Sequence, residues 1–181
     1  HAARVIEEAE SMREFGVKFA EPEIDIDKLR DWKQGVVDKF TDGLTGLAKQ
    51  RKVNVVQGIG TFLSPHHVRV EGAGDSQVIA FSHCIIAAGS EAAMIPGLPD
   101  DPRVIDSAGA LELEDMPKRM LVIGGGIIGL EMATVYDALG VQVSVGEVLT
   151  TLVAGCGPDL VRPAGEPINV SYRAVCPGAP Q

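Results

Sequence analysis

The chain of 181 residues has only three cysteines, Cys84, Cys156 and Cys176. They are widely spaced, with no CxxC or CxxxxC pair and no histidine beside them at a metal-ligand spacing. That pattern excludes a disulfide framework, and no metal site is expected. Positive charge is also scarce, with 16 Lys and Arg against 25 Asp and Glu for a formal charge of −9. Nucleic acid and anionic membrane surfaces both need clustered basic residues, so neither is an expected partner. No apolar run approaches the roughly 18–20 residues that span a bilayer, and the start lacks a secretory layout. These absences lead to the expectation of a soluble, cytoplasmic protein. The chain opens on His1, not Met, within residues that already read as mid-helix, so a truncated start is expected. With 45% hydrophobic residues, one ordinary domain or two small ones can bury a core.

Periodicity organises the first hundred residues. Ala2, Val5, Ile6, Ala9 and Met12 recur at helical spacing, and Gly16 supplies a stop. Asp25 or Asp27 is placed to cap a second helix with a core stripe of Leu29, Trp32, Val36, Phe40, Leu44 and Leu47; Gly43 and Gly46 are expected to break it near its end. Short β-rich runs follow at residues 53–57, 61–63, 67–71, 77–81 and 84–87, with 72–76 as the clearest hairpin turn. They predict a small antiparallel meander followed by a buried strand, in which Cys84 is a small buried hydrophobe. Pro96, Pro99 and Pro102, with Gly97, mark a domain crossing. Beyond it the pattern is a short helix over 108–113, a strand over 119–123, a helix over 127–139 and a strand over 141–145. From about residue 150 prolines and glycines interleave without periodicity, and that tail is expected to be poorly ordered.

The chemistry concentrates in one place. Gly124, Gly126 and Gly129 form a GxGxxG that follows an apolar strand and opens a helix, the setting in which this otherwise weak motif binds dinucleotides. Gly124 allows the tight turn, Gly126 allows a pyrophosphate to approach the backbone, and Gly129 lets the helix pack closely. Free N–H groups at the helix start and the aligned peptide dipoles favour the phosphate charge. Glu147 lies at the end of the second strand, where a carboxylate accepts hydrogen bonds from the adenosine ribose hydroxyls. This favours NAD over NADP, because a 2′-phosphate would meet like charge there with no arginine beside it. The competing reading is a glycine-rich turn in some other α/β protein, with Glu147 merely solvated.

The run LVIGGGIIGLEMATVYDALG, residues 121–140, resembles the NAD-binding segment of flavin-dependent disulfide oxidoreductases of the dihydrolipoamide dehydrogenase type. Three other stretches agree with that family in order: HAARVIEEA at the start, RKVNVVQGIGTF at 51–62 and CIIAAGS at 84–90. The resemblance implies FAD and NAD as cofactors and a reaction in which dihydrolipoamide reduces an enzyme disulfide, the electrons passing through FAD to NAD. It also implies further site residues. Gly60 would lie against FAD, Ala88, Gly89 and Ser90 would form the turn leaving the flavin domain, Glu131 would face the flavin, and Gly125, Ile127 and Ile128 would complete the nucleotide segment near the nicotinamide. Each has a plainer alternative: Gly60 as a β-turn glycine, 88–89 as a strand end, Glu131 as an exposed helix glutamate, and the isoleucines as helix core.

The departures carry weight too. The family's redox cysteine pair and its His–Glu acid–base pair have no counterpart in these residues, and His66, His67 and His83 have no matching partner, so no catalytic residue is assigned and the isolated chain is expected to be inactive. After Pro163 the sequence no longer follows the family. Gly146 replaces a usual apolar residue and is expected to loosen Glu147. The expected fold is α/β, with partial Rossmann-like, three-layer FAD- and NAD(P)-binding domains plus a helical insertion and a β-meander. Residues 1–98 would be the later part of the flavin domain, 99–150 the first βαβ half of the NAD domain, and 151–181 a divergent tail. The expected partners of the parent protein are the lipoyl domain of a 2-oxo acid dehydrogenase complex and a second copy in a homodimer. A non-catalytic NAD-binding module and another pyridine nucleotide-disulfide reductase are the alternatives.

Overall fold

A computed structural model describes residues 1–72 and 74–147, and the backbone of Arg173–Val175. The chain divides into two compact units. One comprises His1–Arg30 together with the described residues from Ala92 onward, and the other is Asp31–Glu91.

In the first unit, α1 (Ala2–Ser11) continues as a 3-10 turn, Met12–Phe15, and stops at Gly16 in the left-handed conformation, as its spacing predicts. It packs beside α4 (Ile127–Ala138). The start of α2 (Ile26–Gln50) belongs here as well. Asp25 is the cap of the two candidates, its Oδ1 accepting the Lys28 N–H at 3.1 Å. A short α3 (Ser107–Glu112) is capped by Asp106, which accepts the Gly109 N–H at 2.8 Å. Arg30 Nη2 donates to the carbonyls of Leu113 and Glu114 just past its end, satisfying groups that the helix leaves free.

The parallel pair β4 (Arg119–Ile123) and β5 (Gln142–Gly146) flanks α4 in sequence, with Met120 opposite Val143 and Val122 opposite Val145. This is the βαβ unit that the sequence predicts. Its core holds Ala110, Leu113, Ala133, Tyr136, Val141, Val143 and Val145, flanked by Met120, Val122 and Leu130. Tyr136 is 1% exposed and its hydroxyl donates to the Ala110 carbonyl at 2.8 Å, so the ring fills the core while its polar tip stays satisfied. Leu121 and Ile123, which alternate with Met120 and Val122, are exposed. One element was not foreseen: β6 (Arg173–Val175) pairs in parallel with β5 inside the stretch expected to lack structure. The rest of the expected tail lies outside the described residues.

In the second unit, α2 runs on to Gln50, straight through Gly43 and Gly46. The expected break does not occur. A glycine weakens a helix interior by about 1 kcal/mol, which is too little to stop a helix already propagating over several turns. Of the predicted core stripe, Leu29 is half-buried, whereas Trp32, Val36, Phe40, Leu44 and Leu47 are exposed, Phe40 at 71% and Leu44 at 67%. The meander forms as expected: β1 (Ile59–Ser64), β2 (His67–Glu71) and β3 (Gln77–Ala80) pair antiparallel in that order. The expected hairpin turn over 72–76 falls between the last two and includes residue 73, which lies outside the described residues; Val70 is the one buried residue among those described in this unit.

Two expected strands are absent among the described residues. Residues 53–57 and 84–87 carry no regular secondary structure and form no ladder, and Ile85 is 92% exposed. Their composition suits a pleated surface, yet a strand exists only when a neighbour pairs its backbone, and no described strand pairs with either. Cys84 is therefore exposed, not buried.

Candidate functional site

The three motif glycines differ: the fold itself requires two of them, and the third stands in open space. Gly124 has φ of +108°, a conformation that side chains other than glycine rarely adopt. A Cβ on Gly129 would collide with the Gly124 carbonyl oxygen and approach Val122 Cγ1 at 3.2 Å, so the helix can lie this close to the turn only without a side chain there. A Cβ on Gly126 would meet nothing within 4 Å. That empty space beside an exposed backbone is what a ligand phosphate needs, and only the presence of a ligand would make a side chain there obstructive.

Gly126 is also the N-cap of α4, with no side-chain cap, and the first turn of the helix contains no acidic residue. The Leu130 N–H is the first to find an intrahelical acceptor, the Gly126 carbonyl at 3.0 Å. The amides before it point to the helix start, where the peptide dipoles add partial positive charge. An anion fits that end. Ile127 and Ile128 are about 60% exposed, so they are not the helix core that their apolar character alone would suggest. Glu131, one turn further on, is exposed.

The end of β5 holds the turn from the other side. The Gly124 N–H donates to the Gly146 carbonyl at 2.8 Å, and the Gly125 N–H donates to Glu147 Oε2 at 2.7 Å. Glu147 is thus half-buried against the glycine turn, not merely solvated. A Cβ added at Gly146 would make only ordinary contacts, with Leu121 Cδ1 and the Val122 carbonyl at 3.9 Å, so there is room for a side chain at that position. The bond between Glu147 and Gly125 is the feature that motif spacing did not disclose. The 22 residues separating them gave no signal beyond the acidic residue's position at a strand end.

The structure therefore gathers Gly124, Gly125, Gly126, Ile127, Ile128, Gly129, Glu131 and Glu147 around one turn and helix start. Gly60, Ala88, Gly89 and Ser90 belong to the second unit. Gly60 is not a turn glycine: it sits in β1 opposite Val70, where an added Cβ would make an ordinary contact with Val68 Cγ1 at 3.8 Å. The glycines of that region that cannot readily change are Gly58, whose Cβ would fall 2.6 Å from the Glu71 carbonyl oxygen, and Gly72, whose Cβ would fall 2.6 Å from the Gln57 carbonyl oxygen. Ala88, Gly89 and Ser90 are exposed, with Gly89 at φ of +74°. Between β1 and β2, Ser64 Oγ lies 2.8 Å from His67 Nδ1 and also accepts the His66 N–H at 3.2 Å, a tight-turn arrangement.

Comparison with known proteins agrees with this geometry. Dihydrolipoyl dehydrogenases are similar over most of the chain: that of Vibrio cholerae is 48% identical over 163 residues, covering 90% of this chain and 34% of that protein. That of Haemophilus influenzae is 46% identical over 163 residues, and that of Haloferax volcanii 41% over 165. The chain spans about a third of the length of these relatives. A copper(II) complex of the HOCl-induced flavoprotein disulfide reductase RclA from Escherichia coli, in a cysteine-to-serine mutant, shares the fold with a TM-score of 0.72 at 21% identity, covering 97% of this chain and 38% of that one. Residues 2–164 match the family described as pyridine nucleotide-disulphide oxidoreductase, and with relatives of this identity along nine-tenths of its length the chain belongs to that family.

Proposed function

We propose that this chain is the nucleotide-gripping part of a dihydrolipoamide dehydrogenase, holding NAD on the turn of residues 124–129 with Glu147 on the adenosine ribose. The observation that carries the reading is the turn itself: a strand, a left-handed Gly124, an open Gly126 at an uncapped helix start, and a carboxylate at the next strand end. Ile127 and Ile128 would border the nicotinamide and Glu131 would face the flavin. Residues 1–98 are the later part of a flavin domain in this reading, with Gly60, Ala88, Gly89 and Ser90 toward FAD, and 99–150 are the first half of the NAD domain. The fit to FAD is supported by family membership and by the open space at Gly89, where an added Cβ would meet nothing within 4 Å.

When bound, FAD would pass electrons from a reduced disulfide to NAD. The chain's own residues bind and orient: the amides at the start of α4 hold the pyrophosphate, and Glu147 accepts from ribose hydroxyls while repelling a 2′-phosphate. No cysteine pair stands at CxxxxC spacing in the sequence. The 181-residue chain is therefore expected to bind NADH without turning over dihydrolipoamide. The parent protein is assigned a lipoyl domain as partner, a homodimeric state and a cytoplasmic setting. No helix among the described residues is long and apolar enough to cross a membrane.

Titration with NADH and NADPH, alongside a visible absorption spectrum, tests the proposal. NADH binding at least about tenfold tighter than NADPH is expected from one unfavourable charge contact worth roughly 1.4 kcal/mol. Equal binding of the two would sink the assignment of Glu147, and failure to bind either would sink the nucleotide reading. Bound NADH with no flavin band favours the second reading, a non-catalytic NAD-binding module, which is supported by the turn being complete within the first unit. NADH formation dependent on dihydrolipoamide by the isolated chain would show that the active centre has been misplaced.

A further inference from the structure

We propose that Glu147 is a positioning residue for the glycine turn as well as a ribose acceptor, its carboxylate fixing Gly125 before any nucleotide arrives. The two last positions of this strand end hold two consecutive amides of the turn: the Gly146 carbonyl takes the Gly124 N–H at 2.8 Å, and Glu147 Oε2 takes the Gly125 N–H at 2.7 Å. The first acceptor is backbone and survives any substitution, whereas the second exists only because the side chain at 147 is long enough and carries an oxygen. The turn needs such a restraint. Three of its residues are glycines in a row, each with more conformational freedom to lose than any other residue type, and Gly124 already stands at φ of +108°.

Gly125 is buried, so water does not readily replace a lost acceptor. The bond is charge-assisted and short, which places it among the stronger ones. Binding a ligand to a turn already fixed avoids the ordering cost that a loose turn would incur. Nucleotide selection and turn geometry are then set by one side chain, and a ligand that drives the carboxylate away also releases the turn. This second consequence rests on the nucleotide reading; the first does not.

Amide hydrogen exchange, followed by NMR on the full chain without nucleotide, separates the two. Glu147→Ala is expected to lower protection at Gly125 by about tenfold or more, the size of a lost hydrogen bond to a charged group, while Val145 in β5 keeps its protection. Glu147→Gln is expected to restore most of it, since the amide oxygen can accept the same bond, and Glu147→Asp is not, being one methylene shorter. Unchanged protection at Gly125 in Glu147→Ala, or equal loss in the alanine and glutamine variants, would overturn the proposal. If the alanine variant fails to fold, the glutamine and aspartate pair decides on the same criterion. An NADH titration of wild type run in parallel tests the nucleotide reading separately, because Gly125 exchange in the free chain is read whether or not NADH binds.

Discussion

The two units use equally strong apolar patterns and reach opposite ends. In the first, Val143, Val145 and Tyr136 are buried to 3% exposure or less around a parallel βαβ unit. In the second, Trp32, Phe40, Leu44 and Leu47 repeat at helical spacing along α2 and remain exposed, with Val70 the lone buried residue among those described. The difference is one of locality. β4, α4 and β5 lie within 28 consecutive residues and cover one another, so the unit that writes the pattern also supplies the partner. A helix stripe states that something apolar belongs against it, but not what.

The largest expected effects test that contrast directly. Tyr136→Ala should destabilise the chain by on the order of 3–5 kcal/mol, the usual loss for removing a fully buried aromatic ring. Phe40→Ala and Leu44→Ala should each change stability by about 0.5 kcal/mol or less, as exposed positions do. Denaturant midpoints with matched slopes would measure both. A loss of several kcal/mol from either exposed residue would show that the stripe is covered in solution and would erase the contrast. Tyr136→Phe sharpens it: the ring stays and only the hydroxyl bond to Ala110 goes, so about 1 kcal/mol is expected.

Glycines give the next effect in size. Gly129→Ala forces a methyl into the Gly124 carbonyl and should cost about 1–3 kcal/mol while shifting the turn that would hold the pyrophosphate. NADH affinity should fall with it by at least tenfold, roughly the weight of one displaced phosphate contact. Gly60→Ala, whose added methyl only reaches Val68 Cγ1 at 3.8 Å, should leave stability within about 0.5 kcal/mol. Equal costs at the two positions, read by calorimetry, would remove the basis for treating one glycine as a packing requirement and the other as tolerant.

These same positions show how much could be read before any coordinates. The βαβ unit was legible because its signals agree at every level: an apolar strand, a GxGxxG, a helical stripe and a second strand whose last neighbour is acidic. The meander was legible for the same reason, its turn residues falling between alternating runs. Pairing itself was not legible at 53–57 or 84–87, where β-favouring residues have no described ladder partner and Cys84 stands exposed. Nor was helix persistence past Gly43 and Gly46, since propensity is a weak local term against a propagating helix. The bond from Gly125 to Glu147 was hidden for a different reason: spacing locates a carboxylate at a strand end, but only the folded turn shows which amide it takes.

The smallest effects concern two aspartates whose environments act in opposite directions. Asp137 on α4 is held above the usual carboxylate range, first by burial and then by the charges of Glu7 and Glu10 on α1, which packs beside it. A folded-state value raised above the unfolded one means the folded chain binds the proton more tightly, so stability is fully present below the ordinary value of 3.8 and is lost as pH rises through the folded value. Asp137→Asn should therefore stabilise the chain at pH 7 and lose that advantage in acid. Asp101 is the reverse case, held well below its ordinary range by hydrogen bonds from the Arg103 side chain and backbone, with Oδ2 2.7 Å from Nη2. Its contribution is present above the unfolded value and disappears as pH falls through the folded one, so Asp101→Asn should weaken the chain slightly at pH 7 and converge with wild type in strong acid. That pair is solvent-exposed, which keeps its effect small and sensitive to salt. Thermal midpoints of both variants at pH 7 and in acid measure the two signs together. A destabilising Asp137→Asn at pH 7 would mean that neither burial nor the charges of Glu7 and Glu10 raise Asp137 in solution, and the packing of α1 against α4 would have to be redrawn.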